Sequence, residues 1–95
     1  MILVVDSGST KTDWIALDDK GEEIFSTQTL GLNPQMLSNE ILNERIKNNF
    51  DIYKNRKLVN KLFFYGAGCG VDSTQQRILK VFKSIFINSE FDIKE

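Results

Sequence analysis

The first thirty residues constrain the fold most, because they contain three strand-like segments joined by very short connections. Residues Ile2 to Val5 form an apolar, largely β-branched run that ends in a polar turn, and Trp14 to Leu17 follow at once. A second turn at residues 18–21 leads into a third strand-like segment over residues 22–30. Parallel pairing needs a crossover of a dozen residues or more, so these segments must pair antiparallel. The sequence therefore predicts an opening β-meander.

The pattern then changes to helical spacing. Residues Gly31-Leu32-Asn33-Pro34 break the strand pattern, and we expect Asn33 to cap a helix that has Pro34 in its first turn. The apolar stripe that predicts a single helix ending near Asn55 consists of Leu37, Ile41, Leu42, Ile46, Phe50 and Tyr53. Residues Lys61 to Gly66 follow as a short aromatic strand, which we expect to return parallel to the first strand.

A second helix is predicted after a loop of small residues, Gly66 to Gly70. Ser73 and Gln76 have the spacing of a capping box. Its expected buried face is Ile78, Leu79, Phe82, Ile85 and Phe86, and the expected strand core includes Trp14, Phe63, Phe64 and Tyr65. From Phe91 the sequence alternates but stops before a full strand. The predicted fold class is α/β, with a mixed sheet in the order β-β-β-α-β-α, truncated.

Composition excludes several classes of function. The chain has 95 residues, which fit one small domain, and 12 Lys+Arg against 13 Asp+Glu give a net charge of −1. That balance does not favour nucleic acid, and no apolar run approaches the ~20 residues that span a membrane. With no His and a lone Cys69, the chain cannot form an internal disulfide, a Cys/His zinc site or a Ser-His pair. We expect a reducing, cytoplasmic location.

The turn after the first strand carries the main chemical signal. It is rich in Gly, Ser and Thr, so its backbone N–H groups and hydroxyls suit phosphate oxygens. The residues expected to bind phosphate are Gly8, Ser9, Thr10, Lys11 and Thr12, and Asp6 could hold Mg²⁺ through water. The turn is not a Walker loop, because it leads into a strand. An ordinary polar hairpin is the alternative.

The run Asp6-Ser7-Gly8-Ser9-Thr10-Lys11-Thr12 resembles the first phosphate motif of the sugar kinase, actin and heat-shock ATPase superfamily. Together with the Gly31-Leu32-Asn33-Pro34 break and the Gly66-Ala67-Gly68 loop, it is most similar to the BadF/BadG/BcrA/BcrD ATPase family and its N-acetylglucosamine kinases. The resemblance implies a ribonuclease H-like half-domain over residues 1–95 of a longer chain. It also implies that ATP is bound at Thr10, Mg²⁺ near Asp6, and an amino sugar at Asn33.

The glycine-rich loop has two readings. Gly66, Gly68 and Gly70 do not complete a dinucleotide motif, because Val71 stands where the last glycine would be. The resemblance implies that small residues, Gly68 among them, let the backbone approach the substrate cleft; a tight β-to-α turn is the alternative. It also implies that the catalytic base lies beyond residue 95, so the 95 residues alone should be inactive and contain no catalytic residue.

Three other functions stay open. An ATPase that activates a partner enzyme, of the 2-hydroxyacyl-CoA dehydratase activator type, belongs to the same family. A ribonuclease H-type nuclease would use Asp6 in a two-metal site but lacks an acid at the end of the fourth strand. A non-catalytic binding fragment is the third. An incomplete sheet exposes an edge strand, so a homo-oligomer is also an open expectation.

Overall fold

The computed structural model describes all 95 residues as a five-stranded mixed sheet with three helices. The elements are β1 (Ile2–Ser7), β2 (Lys11–Leu17), β3 (Glu23–Leu30), α1 (Asn39–Lys47), α2 (Phe50–Lys54), β4 (Lys61–Gly66), α3 (Asp72–Ile85) and β5 (Glu90–Lys94). The spatial order of the strands is β3-β2-β1-β4-β5. The predicted α/β class is confirmed, and β5 adds one strand to it.

Strand β1 lies at the centre and fixes the register of its neighbours. It pairs antiparallel with β2 and parallel with β4, so Val5 lies between Trp14 and Phe64. Strand β3 continues the antiparallel meander on the far side of β2. The predicted meander and the parallel return of β4 are both confirmed. The lengths of the connections predict both pairings, because a short turn makes the next strand antiparallel whereas a helical crossover allows it to be parallel.

One face of the sheet packs against the helices. Alternate residues of β1, β2 and β4, the inner faces of the three helices, and Leu32, Val59, Cys69 and Phe86 from the connecting segments form a single cluster of 17 buried residues. Its centre is aromatic: the rings of Phe64 and Phe82 meet edge to face at 5.1 Å, and Trp14 lies 6.4 Å from Phe86. The core assignments of Trp14 and Phe64 are confirmed by their complete burial.

The opposite face of the sheet is more open. Tyr65 is 42% exposed and Ile15 is 39% exposed, so the expectation that Tyr65 belongs to the core is wrong. Phe63 is only half-buried, and the Lys61 ammonium lies 5.1 Å from its ring centroid. The reason is the two-residue period of a strand, which turns Phe63 and Tyr65 away from Phe64.

The single helix expected up to Asn55 is wrong, because the chain forms two. The cap of α1 is Ser38, whose hydroxyl accepts from the Ile41 N–H at 3.3 Å, so Asn33 does not cap it. Asn49 caps α2 in turn, accepting from the Ile52 N–H at 3.1 Å. The break leaves Phe50 73% exposed instead of on a shared stripe. Asn side chains compete with helix hydrogen bonds, which explains the interruption.

The other corrections concern the second half of the chain. Helix α3 begins after Val71 without a side-chain cap, so the capping box is wrong, and Thr74 donates its hydroxyl back to the Val71 carbonyl at 3.0 Å. Its buried face includes Val81, whereas Leu79 is only half-buried. Residues 90–94 form a complete strand parallel to β4, not the interrupted one expected. No helix is long and apolar enough to cross a membrane.

Candidate functional site

Three chain segments meet at one edge of the sheet, where β1 and the parallel strand β4 end. We call them the hairpin turn (residues 8–10), the break segment (residues 31–34) and the glycine loop (residues 66–70). The Ser7 carbonyl accepts from the Ala67 N–H at 2.9 Å, and the Thr10 carbonyl accepts from the Gly31 N–H at 3.0 Å. The edge at the carboxyl ends of parallel strands is where α/β sheets bind ligands.

The hairpin turn presents unused hydrogen-bond donors. Its closing bond runs from the Gly8 N–H to the Lys11 carbonyl at 2.9 Å. No backbone carbonyl accepts from the N–H of Ser9 or Thr10, and both residues are exposed. Two neighbouring amides and two hydroxyls therefore face outward, which is the donor set that a phosphate group needs.

Thr12 supports this turn from the inside. It is completely buried, its hydroxyl lies 2.9 Å from the Ser7 hydroxyl, and it donates to the Leu30 carbonyl at 3.1 Å. Both of its hydrogen-bonding roles are filled by protein atoms, so a ligand cannot reach it in this conformation. The sequence grouped Thr12 with Gly8, Ser9 and Thr10 as residues expected to bind phosphate. In the structure Thr12 is buried, whereas the other three are exposed.

The break segment packs directly on the hairpin turn. A Cβ at Gly31 would lie 2.5 Å from the Ser9 carbonyl oxygen and 2.8 Å from that of Gly8, so only glycine fits. The next residue, Leu32, donates its N–H to the Ser7 hydroxyl at 2.9 Å. Arg45 on α1 donates to the Gly31 carbonyl at 2.7 Å. These contacts bring Asn33, the third residue of the break segment, to the same edge as the hairpin turn.

The two residues expected to bind substrate, Asn33 and Gly68, are in contact. Gly68 has φ +83°, and a Cβ there would lie well inside 3.0 Å of Asn33 Oδ1. The same Oδ1 accepts from the Gln35 N–H at 2.9 Å, which forms an Asx turn and leaves Nδ2 without a protein partner. An amide donor without a protein partner therefore stands next to the half-buried backbone of Gly68, an arrangement that suits a hydroxyl or acetamido oxygen.

Asp6 lies at the end of β1 but on the open face of the sheet. It is exposed, and its register partner on β2 is Asp13, whose Oδ1 accepts from Gln28 Nε2 at 2.7 Å. No group of three or more metal-ligating side chains occurs in the chain. One or two carboxylates do fit Mg²⁺ when nucleotide phosphates complete its shell. The residues present therefore suit a nucleotide-bound Mg²⁺ and not an all-protein metal cage.

Lys11 lies at a separate cleft from the Asn33–Gly68 contact. It is exposed, and it lines a cleft of about 690 Å³ between the end of β3 and helix α1, together with Leu30, Glu44 and Arg45. The sequence placed Lys11 with the phosphate ligands on spacing alone. The structure keeps it adjacent to the hairpin turn through the Gly8–Lys11 hydrogen bond, with its side chain at the rim of this cleft.

Two side chains of α3 that sequence reasoning missed hold the site segments. Arg77 donates to the carbonyls of Pro34 and Leu37, the latter at 2.7 Å, and to Asn39 Oδ1 at 3.2 Å. Gln75 donates to the Cys69 carbonyl in the glycine loop at 2.7 Å. Their acceptors are backbone carbonyls far away in sequence, so no side-chain pattern could have revealed them.

Cys69 is not a nucleophile in this setting. Burial, and to a smaller extent the Glu95 carboxylate, raise the pKa of its thiol from 9.0 to about 11. The thiol therefore stays neutral at physiological pH, and the reactive form is the thiolate. Its complete burial in the glycine loop fits a structural role.

The mixed five-stranded sheet with its helices matches a half-domain of a kinase-like structure. A crystal structure from Porphyromonas gingivalis named "putative N-acetylglucosamine kinase" is similar to this chain, with a TM-score of 0.84 and 28% sequence identity. The match covers 99% of this chain and 33% of that one, so this chain spans about a third of its length. No protein-family model and no curated protein matches the sequence.

Proposed function

We propose that the chain forms the amino-terminal, phosphate-binding subdomain of a longer ATP-dependent kinase of N-acetylglucosamine or a related amino sugar. The observation that carries the proposal is that unpaired backbone amides and the Asn33–Gly68 contact lie at the same edge of the sheet. The free amides of Ser9 and Thr10 lie in the segment that packs against Gly31, two residues before the Asn33–Gly68 contact. The similarity to the Porphyromonas gingivalis structure supports the same assignment.

Each segment has a distinct role in this proposal. Gly8, Ser9 and Thr10 bind nucleotide phosphate through amides and hydroxyls, with Lys11 adding positive charge nearby, while the buried Thr12 maintains the turn. Asp6, beside Asp13, would hold Mg²⁺ together with the phosphates. Mg²⁺ neutralises charge that develops on the transferred phosphoryl group. Asn33 donates to the sugar, and Gly68 keeps the backbone close to it.

The proposal places the catalytic base elsewhere in the longer polypeptide. Transfer to a sugar hydroxyl needs a carboxylate positioned on the acceptor, and the acids of this edge, Asp6 and Asp13, lie on the open face of the sheet, opposite the buried Ser7. We therefore expect the 95 residues to bind ligands without turning them over. Cytoplasmic location and self-association stay predictions. The resemblance implies that an activator would hold an iron–sulfur cluster through cysteines at a dimer interface, and Cys69, which is buried, gives that alternative no support.

Amide NMR of the 95-residue chain tests the proposal. We expect Mg²⁺ with a non-hydrolysable ATP analogue to shift the signals of Ser9 and Thr10, and N-acetylglucosamine to shift those of Asn33 and Gly68. Glucose, which lacks the acetamido group, is the control sugar. Asn33→Ala should abolish the sugar response, whereas Asn88→Ala, at a remote exposed asparagine that bonds the Lys57 carbonyl, should not.

The two halves of the proposal fail separately. No nucleotide response at Ser9 and Thr10 at millimolar ligand would refute the phosphate site. A nucleotide response without any sugar response at Asn33 would refute the amino-sugar assignment and favour an ATPase that acts on a partner.

A further inference from the structure

Helix α3 holds both sides of the Asn33–Gly68 contact. The Arg77 guanidinium bonds the carbonyls of Pro34 and Leu37 and the side chain of Asn39, so it spans the turn that begins at Asn33. Two residues earlier, Gln75 bonds the glycine loop at Cys69. Side chains from the start of one helix therefore set the distance between the two segments that meet at the site.

The turn that carries Asn33 has its own internal bonds, which do not involve Arg77. The Asn33 carbonyl accepts from the N–H groups of Met36 and Leu37, both at 3.1 Å, and Asn33 Oδ1 accepts from Gln35. These bonds fix the shape of the turn but not its place on the domain. On the side before Asn33 the turn is anchored by the bond from the Leu32 N–H to the Ser7 hydroxyl. On the side after Asn33 the bonds from Arg77 anchor it, since they join residues 34–39 to α3.

Arginine is suited to this task because its planar fork offers several donors in fixed directions. Charge-assisted hydrogen bonds are also shorter and stronger than neutral ones. Arg77 is half-buried and lies outside the buried apolar cluster, and all its acceptors lie in residues 34–39. Its contribution is therefore directed at the turn and not at the core.

We propose that Arg77 is a positioning residue of the sugar site: it holds the Asn33 amide against Gly68 with Nδ2 free for the ligand. The inference rests on the proposed function, because it assigns a consequence for sugar binding. Without Arg77 the turn keeps its internal bonds and the Leu32–Ser7 bond, but it loses its anchor on the α3 side, so Asn33 is held less closely against Gly68. Sugar affinity should fall while the hairpin turn, which Arg77 does not contact, keeps its nucleotide affinity.

The test compares Arg77→Met and Arg77→Lys with Arg56→Met in the 95-residue chain. Arg56 is a matched control, because its guanidinium also donates to a backbone carbonyl, that of Tyr53, at 2.8 Å but far from the site. The measurements are the dissociation constants for N-acetylglucosamine and for the Mg²⁺-bound ATP analogue, and the NMR signals of the Asn33 side-chain amide.

We expect Arg77→Met to weaken sugar binding about tenfold, the effect of losing a charge-assisted hydrogen bond that orders the site. It should shift the Asn33 amide signals and leave nucleotide binding unchanged. Arg77→Lys, which keeps the charge and one donor, should recover part of the affinity, and Arg56→Met should change neither ligand.

Three results would overturn the inference: unchanged sugar affinity in Arg77→Met, equal losses for sugar and nucleotide, or unmoved Asn33 signals. The proposed function fails differently, because then the wild-type chain itself binds no sugar. A wild-type chain that binds sugar beside an Arg77→Met variant that binds it equally well refutes the positioning role alone.

Discussion

Replacing Gly68 with alanine tests the contact on which the site depends, and the chain contains a matched control. Gly68 and Gly21 both have positive φ, +83° and +80°. A Cβ at Gly21 meets nothing within 4 Å, whereas a Cβ at Gly68 would overlap the Asn33 amide. Gly21→Ala therefore measures the cost of the left-handed backbone alone, and Gly68→Ala measures that cost together with displacement of Asn33.

The expected magnitudes differ enough to be separated. A left-handed alanine costs about 1–2 kcal/mol, partly offset by the lower entropy of its unfolded chain, so we expect Gly21→Ala to cost about 1 kcal/mol. At Gly68 the overlap adds about 1–3 kcal/mol, the usual range for inserting a methyl group into an occupied space. The total, about 2–4 kcal/mol, is a large part of the ~5–14 kcal/mol stability typical of a chain this long.

Urea denaturation of the two variants measures this difference directly. A double-mutant cycle with Asn33→Ala isolates the contact, because truncating Asn33 should remove most of the extra cost at Gly68 and none at Gly21. Equal free energies of unfolding for Gly21→Ala and Gly68→Ala would refute the proposed close contact. So would a cycle in which Asn33→Ala leaves the cost of Gly68→Ala unchanged.

Three further predictions concern buried polar groups. The raised pKa of Cys69 means that the folded chain favours the neutral thiol, so the stabilisation from this residue is complete below pH 9.0 and is lost as the pH rises toward 11. The free energy of unfolding should therefore decline across this pH range in the wild-type chain and not in Cys69→Ala. Asn43 Oδ1 is buried without a partner, so Asn43→Ala should raise the free energy of unfolding by about 1 kcal/mol. A lower free energy of unfolding for the variant, measured by urea denaturation, would contradict this. Thr12→Val leaves the Ser7 hydroxyl without one of its partners and should cost about 1–3 kcal/mol, with NMR shifts in the hairpin turn; unmoved turn signals would show that Thr12 does not maintain it.

Most of the fold could be predicted because two simple signals determine it. Short apolar runs bounded by turn residues located β1, β2 and β4, and the length of each connection decided between antiparallel and parallel pairing. The two-residue period of a strand would have shown that Tyr65 and Phe64 face opposite sides, had it been applied within the aromatic run. The helix break at Asn48 and Asn49 depended on cap geometry, which an apolar stripe running past it concealed.

The site was predictable only as separate pieces. The composition of the hairpin turn indicated a phosphate site, whereas the roles of Asn33 and Gly68 came from the resemblance to a known family. It could not show that Asn33 and Gly68 touch, since that contact depends on how α3 lies across the sheet. The bonds from Arg77 and Gln75 to distant backbone carbonyls are a consequence of tertiary packing, and no local pattern encodes them.

A single residue, Ser7, joins the three segments and explains why their relative positions are fixed. Its hydroxyl accepts from the Leu32 N–H and contacts the Thr12 hydroxyl, while its carbonyl accepts from the Ala67 N–H. Because Ser7 follows Asp6 on a strand, the two side chains point to opposite faces: one is exposed and the other is 3% exposed. The end of β1 therefore places an exposed carboxylate on one face and an anchor for the loops on the other. In the proposed kinase, this pairing would fix the cation, phosphate and sugar sites relative to one central strand.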